Sequence, residues 1–385
     1  MKMKKITAMA LACVLALGLA ACGGTAGSDD PAGSAPTENQ PQTSGPATIT
    51  VVDHADHTVT LPADVQRIAV CDIYPLPSVL TIFFDSAEKI VGMAPPSMSA
   101  AKNSLLSELY PEILNAETGF IDGSQINMEE LLKLEPDVVF YSASNPEQGR
   151  QLTENGFNAV AISVNKWGYN AIETLNEWIK LLSQIFPEND KAETVAQYSA
   201  DIYDLVQSRV AELPEAERRK VFFLFQYNET QILTSGGSFF GQWWADATGC
   251  VNVASELAQD NSVPVTLEQV YAWNPDLIFV TNFTTAQPQN LYDNTVGSYD
   301  WSGVNAVQNG QAFKMPLGMY RSYTPGVDTP ITLLWLAKSA YPALFEDIDI
   351  TQQTVDYYKT VFGVTLTEAQ AEAIFTPVAD AAVGF

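Results

Sequence analysis

The hydrophobic and polar positions of this chain alternate as in proteins built from strands and helices in turn. In the first half, short apolar runs bounded by polar residues predict strands at 67–71, 89–93, 137–141 and 159–163. Apolar residues spaced three and four apart predict helices near 76–86, 128–134, 146–155 and 171–186. Buried strands that alternate with helices are typical of a parallel sheet covered by helices.

The second half continues the same alternation. It predicts strands at 221–227, 231–234, 277–281 and 312–315. The predicted helices lie near 239–248, 267–273 and 329–340, and two more near 351–362 and 367–375 close the chain. We therefore expect a second parallel sheet of the same kind.

Two segments, 127–141 and 266–280, repeat one another at a constant offset of 139 positions. Each begins with a helix-capping residue, Asn127 or Thr266, and has a glutamate two positions later. Each continues through a short apolar-faced helix, a Pro-Asp turn and a hydrophobic strand. The repeat predicts two similar α/β lobes, and the cleft between two lobes is a common place for a small ligand.

Between the halves, the segment 188–213 carries apolar residues such as Val195, Ile202 and Leu205 on one helical face. A single helix of that length is long enough to cross both lobes as a stiff spine. We therefore predict an α/β protein of two lobes, 47–187 and 214–385. Each lobe has a parallel sheet of Rossmann-like type, and the single long spine helix 188–213 joins them.

The N-terminus has the pattern of a lipoprotein signal peptide. Lysines at positions 2, 4 and 5 precede an apolar run, which ends in the sequence Leu-Ala-Ala-Cys at 19–22. We predict that residues 1–21 are removed and that Cys22 is lipidated. The following residues to 46 are rich in Gly, Ser, Thr and Pro, which predicts a disordered tether. The protein is therefore expected outside the cytoplasm, lipid-anchored to the cell membrane.

Charge and composition exclude some classes of partner. The formal net charge is −26, and removal of the signal-peptide lysines makes it more negative. Nucleic acid is excluded as a partner, because binding a phosphate backbone requires clustered Lys and Arg. The acidic surface indicates solubility and identifies no ligand.

Histidine and cysteine are too few for most catalytic centres. His54 and His57 are the only histidines, and their alternating surroundings predict exposed residues of a β-hairpin rather than a metal pair. No motif for a hydrolase triad, a zinc protease or a nucleotide-binding loop is present. We predict no enzyme, no resident cofactor and no metal site. Cys71 and Cys250 fall in different halves, and we interpret them as buried thiols rather than as a disulfide.

The ordered set of motifs resembles a known family. It comprises the lipobox and tether, the hairpin VDHADHTVTLPADVQRIAV, the paired repeat, the spine helix, SGGSFFGQWWADATG, and GMYRSYTPGVDTPITLLWLAKSAYP. Together these resemble the cluster A (class III) solute-binding proteins, which serve ABC importers of ferric siderophores, haem and cobalamin. The resemblance implies a monomer that delivers its ligand to an ABC permease and ATPase complex. It also implies that Glu129 and Glu268 dock on that permease. Acidic residues in a first helical turn also interact favourably with the helix dipole, so both roles can hold.

Loops that follow parallel strands open into the cleft, and they carry many aromatic residues. The predicted ligand-binding residues are Tyr74, Trp167, Tyr169, Tyr227, Phe239, Trp244, Tyr320, Arg321 and Tyr323. Of the neighbouring aromatics, Phe240 and Trp243 are expected to fill the core. Arg321 stands between two tyrosines and can hold a carboxylate, catecholate or oxyanion by two parallel hydrogen bonds.

The ligand itself is left open by the sequence. The absence of histidine from the second half disfavours free zinc or manganese. A metal chelate fits better, and a ferric siderophore is the first expectation. Haem, cobalamin and an oxyanion such as molybdate are alternatives, as is a surface sensor that has no transport partner.

Overall fold

The structure is a computed structural model, and it describes residues 47–123, 125–258 and 262–382. The predicted signal peptide, Cys22 and the tether lie outside the described residues. None of the helices in the described ranges is both long enough and apolar enough to cross a bilayer.

Strands and helices alternate through the first half as the sequence pattern predicts. In chain order they are β1 (Thr48–Val52), β2 (Thr58–Pro62), β3 (Ile68–Val70), α1 (Leu76–Phe84), β4 (Ile90–Met93), α2 (Pro95–Lys102), α3 (Leu105–Leu109), β5 (Ile121–Asp122), β6 (Gln125–Ile126), α4 (Met128–Lys133), β7 (Val138–Ser142), α5 (Pro146–Glu154), β8 (Ala159–Ile162), α6 (Ala171–Ile185) and α7 (Ala192–Val210).

The second half continues the alternation with more short elements. In chain order they are β9 (Lys220–Leu224), β10 (Gln226–Tyr227), β11 (Ile232–Thr234), α8 (Phe240–Ala247), β12 (Val251–Asn252), β13 (Val263–Val265), α9 (Leu267–Trp273), β14 (Leu277–Val280), α10 (Pro288–Tyr292), α11 (Asn305–Gln308), β15 (Ala312–Lys314), α12 (Thr329–Ala340), α13 (Ile350–Tyr357) and α14 (Glu368–Ile374).

Each half forms a parallel four-stranded sheet. The strand order is β4-β3-β7-β8 in the first sheet and β12-β9-β14-β15 in the second. The strands are short and almost wholly buried, as expected when helices cover both faces of a sheet. The predicted α/β class with two parallel sheets is confirmed.

One predicted strand belongs to a different sheet. Residues 232–234 were expected in the second parallel sheet, but β11 pairs antiparallel with β10 and β13 in a separate three-stranded sheet. In the parallel sheet, β12 lies beside β9. The sequence did not reveal this, because β12 is only two residues long and the Ile-Leu-Thr run suits either sheet.

The two aspartates of the sequence repeat make the same contact in both halves. Asp137 accepts hydrogen bonds from the main-chain amides of Gln66 and Arg67, each at 2.8 Å. Asp276 accepts one from the amide of Lys220 at 2.9 Å. In each lobe the carboxylate therefore ties the beginning of one strand to the beginning of the next, which fixes the register of the sheet.

The opening hairpin β1–β2 forms as predicted, but His54 is buried rather than exposed. Its ring nitrogen Nδ1 accepts a hydrogen bond from the amide of Ser163 at 3.2 Å, and burial lowers its pKa to about 4. The nearby Asp53 carboxylate accepts from the amide of Ala161 at 3.0 Å. These bonds hold the hairpin against β8, so the exposed interpretation was wrong for His54, whereas the side chain of His57 is 59% exposed.

Helix α7 is the spine, although it is shorter than the predicted 188–213. A short 3-10 turn, Pro187–Asn189, precedes it. Val195 packs in the core of the first sheet, and Ile202, Val206 and Val210 pack in a core of the second. The helix therefore links the two lobes through side chains of both cores. Its 19 residues span about 28 Å.

The end of the chain returns to the first lobe. Tyr357, Tyr358, Ala371 and Ile374 pack in the same core as the first sheet. The interval 214–385, which the sequence predicts as the second lobe, therefore contributes its last helices to the first core. This return brings the C-terminal segment close to the boundary between the lobes.

Candidate ligand site

Arg321 lies in the loop between β15 and α12, and its side chain has no exposed surface. Its guanidinium carbon is 5.3 Å from the ring centroid of Phe283 and 5.6 Å from that of Tyr320. Its Nε donates a hydrogen bond to the carbonyl of Ala381 at 3.1 Å. A cation between two aromatic rings is held by the negative face of each ring, so the charge is fixed in position within the protein.

The loop of Arg321 touches the first lobe directly. The amide of Leu105, at the beginning of α3, donates to the carbonyl of Gly318 at 3.1 Å. Burial raises the pKa of Tyr320 to about 12, while Arg321 acts to lower it and Tyr74 of the first lobe acts to raise it. Tyr74 of the first lobe therefore lies near Tyr320, where the lobes adjoin.

The predicted arrangement of Arg321 between two tyrosines is only half correct. Tyr320 contacts the guanidinium, but the second ring belongs to Phe283. The hydroxyl of Tyr323 instead shares a short hydrogen bond with Ser235 inside the second lobe. The spacing of the two tyrosines in the sequence therefore did not show which of them contacts the guanidinium.

Phe283 is positioned by a buried lysine. Lys314 at the end of β15 donates to the carbonyls of Thr281, Thr284 and Ala286, at 2.8, 2.7 and 2.7 Å. Burial lowers its pKa to about 7. The three carbonyls accept from all three N–H groups of the ammonium, and these bonds fix the conformation of the loop after β14.

Two buried polar side chains beside Arg321 keep an oxygen without a protein partner. Asn282 donates through Nδ2 to the carbonyls of Met315 and Pro316, and its Oδ1 accepts no hydrogen bond. Ser322 donates its amide to the same Pro316 carbonyl, and its Oγ also has no partner. Buried polar groups are usually satisfied, so these oxygens are candidates for contact with water or a ligand.

Asp328 fixes the other end of the Arg321 loop. Its carboxylate accepts a hydrogen bond from the amide of Met319 at 2.8 Å and another from the hydroxyl of Tyr358. Burial raises its pKa to about 6, against those hydrogen bonds. A Cβ at Gly318 would lie 2.3 Å from the Asp328 carboxyl, so only glycine permits this approach.

An aromatic cluster joins the lobes next to this loop. The ring of Tyr169, which follows β8, lies 5.0 Å from Phe239 and 5.2 Å from Phe240. Phe239 in turn lies 6.1 Å from Tyr323. Tyr169 and Phe239 remain partly exposed, whereas Tyr323 and Phe240 are buried. The structure therefore brings Tyr169, Phe239 and Tyr323 together across the boundary.

Three other predicted ligand residues lie elsewhere. Trp167 packs edge-on against His54 at 5.0 Å. Tyr227 accepts a hydrogen bond from the indole of Trp301 at 2.9 Å, within the outer core of the second lobe. Trp244 is fully buried and donates to the carbonyl of Tyr323 at 2.9 Å. Of the tryptophan pair, Trp244 rather than Trp243 fills the core.

A cavity of about 280 Å³ opens at the carboxyl ends of the first sheet. Cys71, Asp72, Tyr74, Ser142 and Asn145 are among the residues that line it. Burial raises the pKa of Asp72, partly offset by a hydrogen bond from Gln148. The volume lies just below the range typical of sites for drug-sized ligands, so the cavity suits a small ligand or one part of a larger one.

The two glutamates predicted to dock on a permease are both exposed at the first turns of α4 and α9. Asn127 caps α4 by accepting from the amides of Glu129 and Glu130, and Thr266 caps α9 in a capping box. An exposed apolar residue follows each glutamate three positions later: Leu132 is 50% exposed and Tyr271 is 36% exposed. Residues three apart share a helix face, so each lobe presents one acidic and one apolar group together.

Sequence reasoning missed Asn282, Phe283 and Ala381. The first two follow β14 directly, and the rule that assigned Tyr74 to the cleft applies equally to them. Ala381 carries no signal, because only the tertiary structure brings an alanine carbonyl to an arginine sixty positions away. Within the described part of the chain, no group of three or more His, Cys, Asp or Glu is placed to hold a metal ion. Cys71 and Cys250 are buried and unpaired.

The two lobes, the single spine helix and the site between the lobes define the class of two-lobed ligand-binding proteins. The family model described as periplasmic binding protein matches residues 91–317, and the chain belongs to that family. It is therefore an extracytoplasmic solute-binding protein of the kind that works with ABC transporters.

Several relatives in this family have known names or structures. The molybdate-binding protein MolA of Haemophilus influenzae is 26% identical over 332 residues, which cover 81% of this chain and 90% of MolA. The crystal structure of a periplasmic solute-binding protein from Veillonella parvula has a TM-score of 0.76 at 28% identity, covering 86% of this chain and 97% of that one. MolA bound to molybdate has a TM-score of 0.68 at 23% identity, covering 83% of this chain and 99% of MolA.

Proposed function

We propose that this protein captures a small oxyanion of the molybdate class at Arg321 and delivers it to an ABC permease. The observation that carries the proposal is the complete burial of Arg321 where the two lobes meet, with its guanidinium placed between Phe283 and Tyr320. A guanidinium stays charged at all physiological pH values and offers its donors in a planar fork that suits an oxyanion. A buried cation of this kind favours an anionic ligand over a neutral one.

The relatives and the cavity support a small ligand. MolA is named for molybdate, and its similarity extends over most of both chains. The cavity beside Tyr74 measures about 280 Å³, just below the range typical of sites for drug-sized ligands, which favours a small ligand. Phe283 and Tyr320 also exclude water, which strengthens a charge-assisted hydrogen bond to the ligand.

Isothermal titration of the protein from residue 47 onward with molybdate, tungstate and sulfate tests the proposal. We expect saturable binding of at least one of these anions and a rise in melting temperature that grows with its concentration. The variant Arg321→Gln removes the charge and should weaken binding by about 10- to 100-fold. The matched control is Arg150→Gln, because Arg150 is exposed and pairs with the surface residues Glu147 and Glu154.

The same titration includes a ferric catecholate siderophore, haem and cobalamin. The partly exposed aromatic residues Tyr74, Tyr169 and Phe239 come from both lobes and favour a larger chelate as the second candidate. Binding of a chelate with no response to any oxyanion would reject the oxyanion proposal and support the siderophore expectation. Binding of an oxyanion that Arg321→Gln leaves unchanged would reject the assigned position of the site.

Anchoring and docking complete the proposed role. We propose that Cys22 carries the lipid and that Glu129 and Glu268 contact basic residues of the permease, one from each lobe. The main-chain amide of Glu268 and, less strongly, the hydroxyl of Thr266 lower the pKa of Glu268, so this carboxylate is charged at neutral pH. A Cys22→Ser variant should be released from membranes while it retains ligand binding, and fractionation of cells measures this.

A further inference from the structure

The C-terminal segment runs across the boundary between the lobes and ends against Arg321. We call residues 367–382 the C-terminal strap. Its helix α14 is tied to both lobes: Gln370 donates to the Glu108 carboxylate of α3 at 2.8 Å, and the amide of Leu317 donates to the carbonyl of Ile374 at 2.8 Å. Ala371 and Ile374 are buried in the first core. The first part of the strap is therefore firmly attached.

The second part of the strap, residues 376–382, has both exposed and buried residues. Thr376, Val378 and Asp380 are exposed, and Val378 is 60% exposed. The chain then turns inward as a 3-10 turn, Ala379–Ala382, which packs against α2 of the first lobe. Ala381 and Ala382 are buried there, and the Ala381 carbonyl accepts the hydrogen bond from Nε of Arg321.

The composition of this turn makes it easy to displace. Its buried side chains are the methyl groups of Ala381 and Ala382, which remove little apolar surface from water. The α14 helix buries the larger side chain of Ile374 and is also held by hydrogen bonds. The hydrogen bond that the Ala381 carbonyl accepts from Arg321 is one that an oxyanion can replace with a stronger, charge-assisted bond. The firm attachment of α14 would keep a displaced turn close to the site.

We propose that the turn Ala379–Ala382 is a gate on the anion site: it covers Arg321 in the empty protein, and ligand capture requires it to move aside. This inference rests on the proposed anion site at Arg321. The strap thereby sets both the rate of capture and the affinity, because the free energy of displacing the turn is subtracted from that of ligand binding. The gate opens without separation of the two sheets.

The first test needs no ligand. A chain truncated after Val378 is compared with the full chain in its reaction with phenylglyoxal, and modification of each arginine is followed by peptide mass spectrometry. We expect Arg321 to react at least about tenfold faster in the truncated chain, while Arg150, which is exposed in the folded protein, reacts at the same rate in both. Equal rates of modification of Arg321 in the two chains would reject the gate, because the turn would then not control access to Arg321.

A second variant keeps the proposal testable if the truncated chain fails to fold. Ala381→Leu overfills the buried position and should expel the turn while the segment remains in the chain. The control Ala373→Leu adds the same volume at an exposed position of α14 and should change nothing. The gate would also be rejected if, in Ala381→Leu, Arg321 remained protected from phenylglyoxal and the amides of the turn still exchanged slowly.

A binding experiment with molybdate distinguishes failure of the gate from failure of the proposed function. Stopped-flow fluorescence with molybdate should show association about 5- to 50-fold faster for the truncated chain than for the full chain, with tighter binding. If no anion binds either chain but truncation exposes Arg321 to phenylglyoxal, the gate stands and the ligand class is wrong. If molybdate binds both chains at the same rate and Arg321 is equally protected in both, the function stands and the gate is rejected.

Discussion

The guanidinium carbon of Arg321 lies 5.3 Å from the ring centroid of Phe283, although the two residues belong to loops that follow different strands. The contact places a fixed positive charge beside the boundary between the lobes. Each loop has its own support within the second lobe: Lys314 holds the loop of Phe283, and Asp328 holds the loop of Arg321. The site is therefore assembled before a ligand arrives, which lowers the ordering cost of binding.

The substitution Phe283→Leu should weaken oxyanion binding by about 2- to 30-fold, since a desolvated cation–π contact contributes about 0.5 to 2 kcal/mol. Titration calorimetry measures the effect. The matched control Phe313→Leu removes a ring that packs on Phe279 and Trp335 within the second lobe, and it should leave the affinity unchanged. Equal losses in both variants would show that the effect reports general destabilisation rather than the Arg321 contact.

Lys314→Met should destabilise the protein by about 2 to 4 kcal/mol, because it leaves three buried carbonyls without their donor. Urea unfolding measures the change. The variant should also weaken ligand binding, since the loop that carries Phe283 loses its support. Lys180→Met is the control: Lys180 is 57% exposed and pairs with Glu177, so its loss should change stability by less than about 0.5 kcal/mol. A stable Lys314→Met protein would contradict the structural role assigned to this ammonium.

The contribution of His54 to stability should decrease as the pH falls from about 6.5 to about 4, because burial lowers the pKa of His54 to about 4 in the folded protein. In that window the unfolded chain binds a proton that the folded chain does not, and the lost stability reaches about 3 kcal/mol. Above pH 6.5 the His54 contribution is fully present. Burial raises the pKa of Asp328 to about 6, so its contribution has the opposite sign.

Comparison of variants isolates the histidine. His54→Gln should remove the His54 contribution, so that its unfolding free energy falls less than that of the wild type, or rises, as the pH is lowered from 6.5 to 4.5. Urea unfolding at several pH values measures this. His57→Gln should keep the dependence, because the side chain of His57 is 59% exposed. The Asp328 contribution is the same in both variants and cancels in the comparison. The prediction fails if both variants show the wild-type slope.

The double variant Glu129→Gln, Glu268→Gln should bind ligand normally but lose most of the transport activity in cells or proteoliposomes with the cognate permease and ATPase. Each single variant should lose less, because each lobe supplies one contact. The charge-matched control is Glu215→Gln, Glu217→Gln, at exposed positions in the turn after α7. Leu132→Ser and Tyr271→Ser should also reduce transport if the apolar neighbours share the docking face. Full transport by the double glutamine variant would reject the docking assignment.

The thiols of Cys71 and Cys250 should resist modification in the native protein. Burial raises the pKa of both thiols, and only the thiolate reacts. A thiol-specific chromogenic reagent should therefore detect both groups quickly in denaturant and only slowly without it, in protein that starts at residue 47. Fast reaction of either thiol in buffer would show that its lobe opens locally.

Residue patterns along the chain were enough to predict the repeating units of this protein. The spacing of apolar residues predicted β7, β14 and the spine helix α7, because hydrophobic periodicity and capping residues act over a few positions. The internal repeat placed Glu129 and Glu268 at equivalent exposed positions for the same reason. The order of motifs also indicated the family, which the match over residues 91–317 establishes.

Tertiary structure alone decided which of these residues meet. The burial of His54 depends on contacts with Ser163, and the pairing of β11 depends on β13, thirty positions further along the chain. Arg321 was predicted from its scarcity and its neighbours, but its contacts with Phe283 and Ala381 come from loops that only the fold brings together. Local pattern specifies a helix or a strand, whereas a site made of several loops depends on packing across the whole chain, which no short window of sequence contains.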